Sequence, residues 1–141
     1  MPRPPNIPHR KPLISKQAKA VQQPDVATLF KQGLALHQQG ELAQAKAIYD
    51  QVLAINPQHF DALHLSGVIA YQTKNPKLAI DLIGRAIEIN PNNAAAYSNR
   101  GVALSELKRV EEAVVSYDRA IELKPDYAEA YYNRGVALSE L

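Results

Sequence analysis

The chain has no cysteine and no tryptophan, one methionine and only two phenylalanines among 141 residues. Without cysteine there is no disulfide framework, no CxxC redox pair and no cysteine-ligated zinc site. No stretch approaches the ~18 apolar residues of a membrane span. The first 24 residues hold no apolar run of the kind a secretory signal needs. A cytoplasmic protein, free of membrane, is the expectation. The sequence also lacks a Gly-rich phosphate loop, HExxH and GxSxG. His9, His37, His59 and His64 do not form a metal-ligand set. Glu111 and Glu112 fall at the start of a helix, where carboxylates favour the dipole and solvent over acid–base work. No catalytic residue, no metal and no cofactor is expected, and the chain reads as non-enzymatic.

Charge is divided unevenly. Residues 1–24 carry Arg3, Arg10, Lys11, Lys16 and Lys19 and no acid, whereas residues 25–141 carry eleven basic and fourteen acidic residues. The basic excess is confined to the N-terminus, so a nucleic-acid partner is not expected. Five prolines in Met1–Pro12 exclude a helix there, because proline fixes φ and removes the backbone donor. Leu13–Gln23 has the composition for about two helical turns, stopped by Pro24. Residues 1–24 read as a Pro-rich, basic, flexible tail.

Residues 26–141 are periodic. Gly33, Gly67, Gly101 and Gly135 are each 34 residues apart, and Pro57, Pro91 and Pro125 keep the same interval. Tyr97–Leu107 and Tyr131–Leu141 are identical at ten of eleven positions. A fixed period of this length marks a repeat architecture. The cycles run 26–59, 60–93 and 94–127, with a fourth begun at 128–141. Each full cycle holds two apolar stretches at helical spacing, divided by short polar breaks such as Gln39-Gly40-Glu41 and Asn90-Pro91-Asn92. Seven helices are predicted, over 26–39, 42–55, 60–73, 76–89, 94–107, 110–123 and 128–141. The fold class is all-α, a solenoid of three repeats plus the first helix of a fourth. No alternating pattern competes for a strand.

These residues resemble the tetratricopeptide repeat (TPR) family, whose unit is a 34-residue helix–turn–helix. The resemblance covers residues 26–141. Glycine at the eighth position of each cycle lets the paired helix approach the backbone. Ala45, Ala79 and Ala113 are small for the same contact, and Val52, Ala86 and Ala120 are small where one repeat meets the next. Tyr49, Ile83 and Tyr117 fill the space between, as interlocking packing requires. Arg100 and Arg134 stand at a position that is usually apolar. Asp118 is placed to pair with one of them in a structural ion pair.

The resemblance implies that the first helix of each repeat lines a concave groove, and stacked repeats of this kind hold other chains. The expected function is a scaffold that binds an extended peptide or partner protein there. The implied contacts are Phe30, Leu34, His64, Val68, Tyr71, Asn99, Val102, Tyr132 and Asn133. Leu34, Val68, Val102 and Val136 form an aliphatic line; Asn99 and Asn133 occupy one groove position in successive repeats. Stacked amides of that kind line the repeats of O-linked N-acetylglucosamine transferases, which these repeats also resemble. The second reading is therefore the substrate-recognition arm of such a glycosyltransferase. The carboxylate-clamp mode of chaperone-binding repeats is disfavoured, because Phe30, Leu34, Leu65 and Ala95 stand where basic or amide residues are needed. Lys31 against Asp61, Glu106, Glu129 and Glu140 favours a neutral-to-basic ligand.

The final helix is written like an internal one, with Tyr131, Val136, Ala137 and Leu138 and no polar capping face. Such a strip is expected to mark a fragment of a longer protein, a surface for self-association, or a helix that closes the stack as it stands. The basic tail is a further candidate occupant of the groove.

Overall fold

The computed structural model describes residues 1–6 and 24–141. The short helix anticipated over Leu13–Gln23 lies outside them, as does most of the N-terminal tail. Among the described residues there are seven α-helices and no strand: α1 Val26–Gln38, α2 Leu42–Ile55, α3 Phe60–Gln72, α4 Pro76–Ile89, α5 Ala94–Glu106, α6 Val110–Leu123 and α7 Ala128–Ser139.

Each boundary has a local cause. Asp25, Asn75 and Asn93 accept a hydrogen bond from the backbone N–H three residues on, and His59 does the same through Nδ1. Pro76 opens α4 at a position where no donor is required. Asn56 and Asn90 end α2 and α4 in extended backbone, as the following proline demands. Their side chains then accept from Gln58 N and Asn92 N at 3.1 Å. The first helices stop one or two residues earlier than the periodicity predicts. Gly40, Lys74 and Lys108, again 34 apart, take φ of 79°, 66° and 61°. In each case the next residue's N–H reaches back five residues, Glu41 to Leu36, Asn75 to Ala70 and Arg109 to Leu104. This is a Schellman closure, and it is left-handed whether or not the residue is glycine.

Packing follows the period. Within each repeat the two helices lie together, α1 on α2, α3 on α4, α5 on α6, and each second helix packs on the next first helix. First helices also touch directly, α3 with α5 and α5 with α7, and no two second helices pack comparably. The first helices therefore form the inner, concave wall of a stack of hairpins. Ala45, Val52, Ala79, Ala86, Ala113 and Ala120 are all fully buried, together with Tyr49, Ile83 and Tyr117.

The arginine pair splits. Arg134 Nη1 donates to Asp118 Oδ1 at 2.9 Å, joining α7 to α6. Arg100 has no such partner among the described residues, and its buried Nε is unsatisfied. The reason is register: Asp118 precedes Arg134 by sixteen residues, and sixteen before Arg100 stands Gly84. A Cβ at Gly84 would meet nothing within 4 Å. Gly84→Asp is expected to raise stability by roughly 1 kcal/mol, from a better helix former and a half-exposed ion pair. In urea denaturation of the four members of a double-mutant cycle, the ion-pair share of that gain should vanish when Arg100 is replaced by methionine.

Candidate functional site

The anticipated contact residues lie on the first helices, but they differ in what they offer. Phe30 is half-buried, stacked on Tyr49 at 5.9 Å and tilted on His59 at 5.2 Å. Leu34, Tyr71, Asn99, Val102 and Asn133 are half-buried. His64 and Val68 retain only 6% and 8% exposure, so they serve packing more than contact. Tyr132 and Val136 are 72% and 45% exposed. The wall is thus closed around α3 and opens toward α7.

Two hydrogen-bonded groups tie the wall together from repeat to repeat. In the first, the His37 ring lies between Tyr49 Oη (3.2 Å, to Nδ1) and Gln72 Oε1 (2.9 Å, to Nε2). An amide oxygen only accepts, so Nε2 carries a proton and donates to Gln72. In the second, Asn99 Nδ2 donates to His64 Nε2 at 2.8 Å and Asn99 Oδ1 accepts from Tyr71 Oη at 3.2 Å. Burial disfavours the charged forms of His64, Tyr49 and Tyr71. It pushes the His64 imidazole down, with Asp61 partly opposing. It pushes Tyr49 up to about 12, helped by Asp61. Tyr71 is likewise pushed up to about 12 by burial, then by the charges of Glu129 and Glu106.

The two equivalent asparagines are consequently unequal. Asn99 has committed one N–H and one lone pair to its own chain, whereas Asn133 makes no hydrogen bond to another described residue. The cause lies one repeat back: His64 and Tyr71 face Asn99, but the same positions ahead of Asn133 are Ser98 and Ser105. The periodicity did not foresee either network. The one signal was polar residues at matching groove positions 35 residues apart.

Electrostatically the wall is acidic. Asp61, Glu106, Glu129 and Glu140 are exposed, and the ion pairs among the described residues engage none of them. Between α5 and α7 an open cavity of about 290 Å³ is bordered by Val102, Ser105, Tyr117, Asn133, Val136 and Glu140. Clefts of about 280 and 360 Å³ lie elsewhere, the first bordered by Leu29, Gln51 and Ile55 and the second by Leu63, Arg85 and Ile89.

Comparison with known proteins agrees with this geometry. A tetratricopeptide repeat profile matches residues 36–99, and a TPR repeat profile matches residues 103–141. A mutant O-GlcNAc transferase of Thermobaculum terrenum is similar over 80% of this chain, with 31% identity and a TM-score of 0.78. The present chain spans 22% of that transferase. MamA from Desulfovibrio magneticus RS-1 is 26% identical over 82% of this chain and 66% of its own, with a TM-score of 0.77. The first TPR of Spaghetti (RPAP3), bound to an HSP90 peptide, shares the fold at 24% identity and a TM-score of 0.79, over 82% of this chain and 91% of that one. No curated protein matches the chain significantly. No helix among the described residues is long and apolar enough to cross a membrane.

Proposed function

The chain belongs to the tetratricopeptide-repeat family, and from that premise we propose that it is a non-catalytic interaction module that holds an extended peptide along the inner wall of α1, α3, α5 and α7. The observation that carries this reading is the half-open aliphatic line of Leu34, Val102 and Val136, with Tyr132 and the uncommitted amide of Asn133 beside it. Apolar surface of this kind with a few polar groups placed along it binds side chains while fixing a backbone. The Asn99 and Asn133 amides supply donor and acceptor to any sequence, although Asn99 has only half its capacity left.

The test uses two exposed valines on opposite faces. Val136 lies on the inner wall, and Val115, 68% exposed, lies on the second helix α6. Peptides selected by phage display on the full chain should bind Val136→Lys at least ten-fold more weakly and Val115→Lys unchanged. Equal losses, or a loss confined to Val115→Lys, would move binding off the inner wall.

A second reading is favoured by one comparison, the 31% identity to the transferase. In it the repeats present a polypeptide to a glycosyltransferase domain. Selected peptides should then be rich in serine or threonine and accept N-acetylhexosamine from such a domain, read as a mass increase. Peptides that bind but are never modified speak for the simple module.

A further inference from the structure

The inner wall repeats at 34 residues, so a gap in one repeat can be measured against the filled position in another. In the first repeat the His37 ring fills the space between Tyr49 Oη and Gln72 Oε1. Two periods later the same three positions are Ser105, Tyr117 and Glu140. Tyr117 replaces Tyr49 and is as deeply placed, at 2% exposure. Serine is much smaller than histidine, and Ser105 Oγ comes no nearer to Tyr117 Oη than 3.5 Å, the outer limit of a hydrogen bond. The open cavity of about 290 Å³ therefore stands where the first repeat holds an imidazole, and the amide acceptor at its far side has become a carboxylate.

We propose that this cavity receives the cationic side chain of a lysine or arginine from an extended peptide, its nitrogen lying between Glu140 and Tyr117 as the His37 ring lies between Gln72 and Tyr49. The inference rests on the inner wall being the binding face. Val102 and Val136 sheathe the aliphatic stem, and the head meets a carboxylate that only accepts. A charge-assisted bond to a carboxylate is about twice as strong as a neutral one. Burial pushes the Tyr117 hydroxyl up; the Ser105 contact opposes this, and the charges of Glu129 and Glu140 add to it. Glu106 also borders the cavity, so an anionic ligand meets repulsion from several sides. Lys108 stands at the rim but forms no ion pair with Glu106 or Glu140, so the acceptors are not already neutralised.

The experiment titrates the full ¹⁵N-labelled chain with the blocked peptide Ala-Lys-Ala-Lys-Ala and with versions carrying norleucine or glutamate for lysine. The lysine peptide should shift the amides around Ser105, Asn133 and Glu140 and bind at least ten-fold more tightly than the norleucine peptide. Glu140→Gln should weaken it about ten-fold, and Ser105→His, which refills the gap from within, should abolish the shifts while leaving the rest of the spectrum in place. Equal binding of lysine and norleucine peptides, no binding of either, or unchanged binding to Ser105→His overturns the cavity. If lysine-independent shifts then map to α1, α3, α5 and α7, the inner wall stands without it; if they map to the second helices, both readings fall.

Discussion

Tyr49→Ala is expected to lower stability by about 3–5 kcal/mol, the usual loss for deleting a buried aromatic ring. Tyr49 has no exposed surface. Its ring fills the space above Gly33, stacks on Phe30, meets the edge of His37, and carries the hydroxyl that the His37 ring holds. Leu29, Ala45, Val52, Ala62 and Ile69 complete the same cluster, and only Ala62 and Ile69 come from the second repeat. Repeats contact only their neighbours, so the loss is local. The first repeat should unfold ahead of the rest, seen as an early, partial loss of helical ellipticity on heating. Tyr49→Phe isolates the hydroxyl and should cost about 1 kcal/mol, the worth of one hydrogen bond. Tyr117→Phe should cost almost nothing, because that hydroxyl has only the distant Ser105. Equal costs for the two phenylalanine variants would contradict the assignment of a filled and an unfilled position.

Gly101→Ala is expected to destabilise by roughly 2 kcal/mol, and Gly135→Ala to stabilise by about 1 kcal/mol, although both glycines hold the same place in nearly identical helices. A Cβ on Gly101 would lie 2.5 Å from Tyr117 Cε1, 2.7 Å from Cζ and 2.8 Å from Cδ1. That ring is buried and rigid, so the helices must separate. The strain exceeds the gain of about 1 kcal/mol that alanine brings to a helix interior. At Gly135 a Cβ would meet nothing within 4 Å, so only the gain remains. Urea midpoints of the two variants, measured side by side, give the difference directly. Midpoints that move in the same direction would show that close approach is not what the eighth position demands.

Gly101 and Gly135 look alike in the sequence and differ only once the helices are stacked. Period and composition were enough to place seven helices within two residues of their ends. They also identified Ala45, Ala79 and Ala113 as contact points, because small residues kept in register serve close helix approach. Lys74 and Lys108 hid the left-handed closures, since nothing in a lysine announces a positive φ. The inner wall was legible as a set of positions but not as a state. Whether Asn99 is free depends on His64 and Tyr71 reaching it across a repeat boundary, a matter of rotamers and helix spacing. Burial of His64 and Val68 likewise follows from how closely α3 is held by its neighbours, which no single repeat encodes. The ion pair expected from Arg100, Arg134 and Asp118 formed only where the acid stands sixteen residues ahead, and Gly84 decided the other case.

Whether partners are held on the first helices is read from amide shift changes in the full ¹⁵N-labelled chain on adding a peptide selected against it. Changes are expected along α1, α3, α5 and α7, strongest around Val102, Asn133 and Val136. Changes concentrated on α2, α4 and α6, with the first helices undisturbed, would contradict binding there.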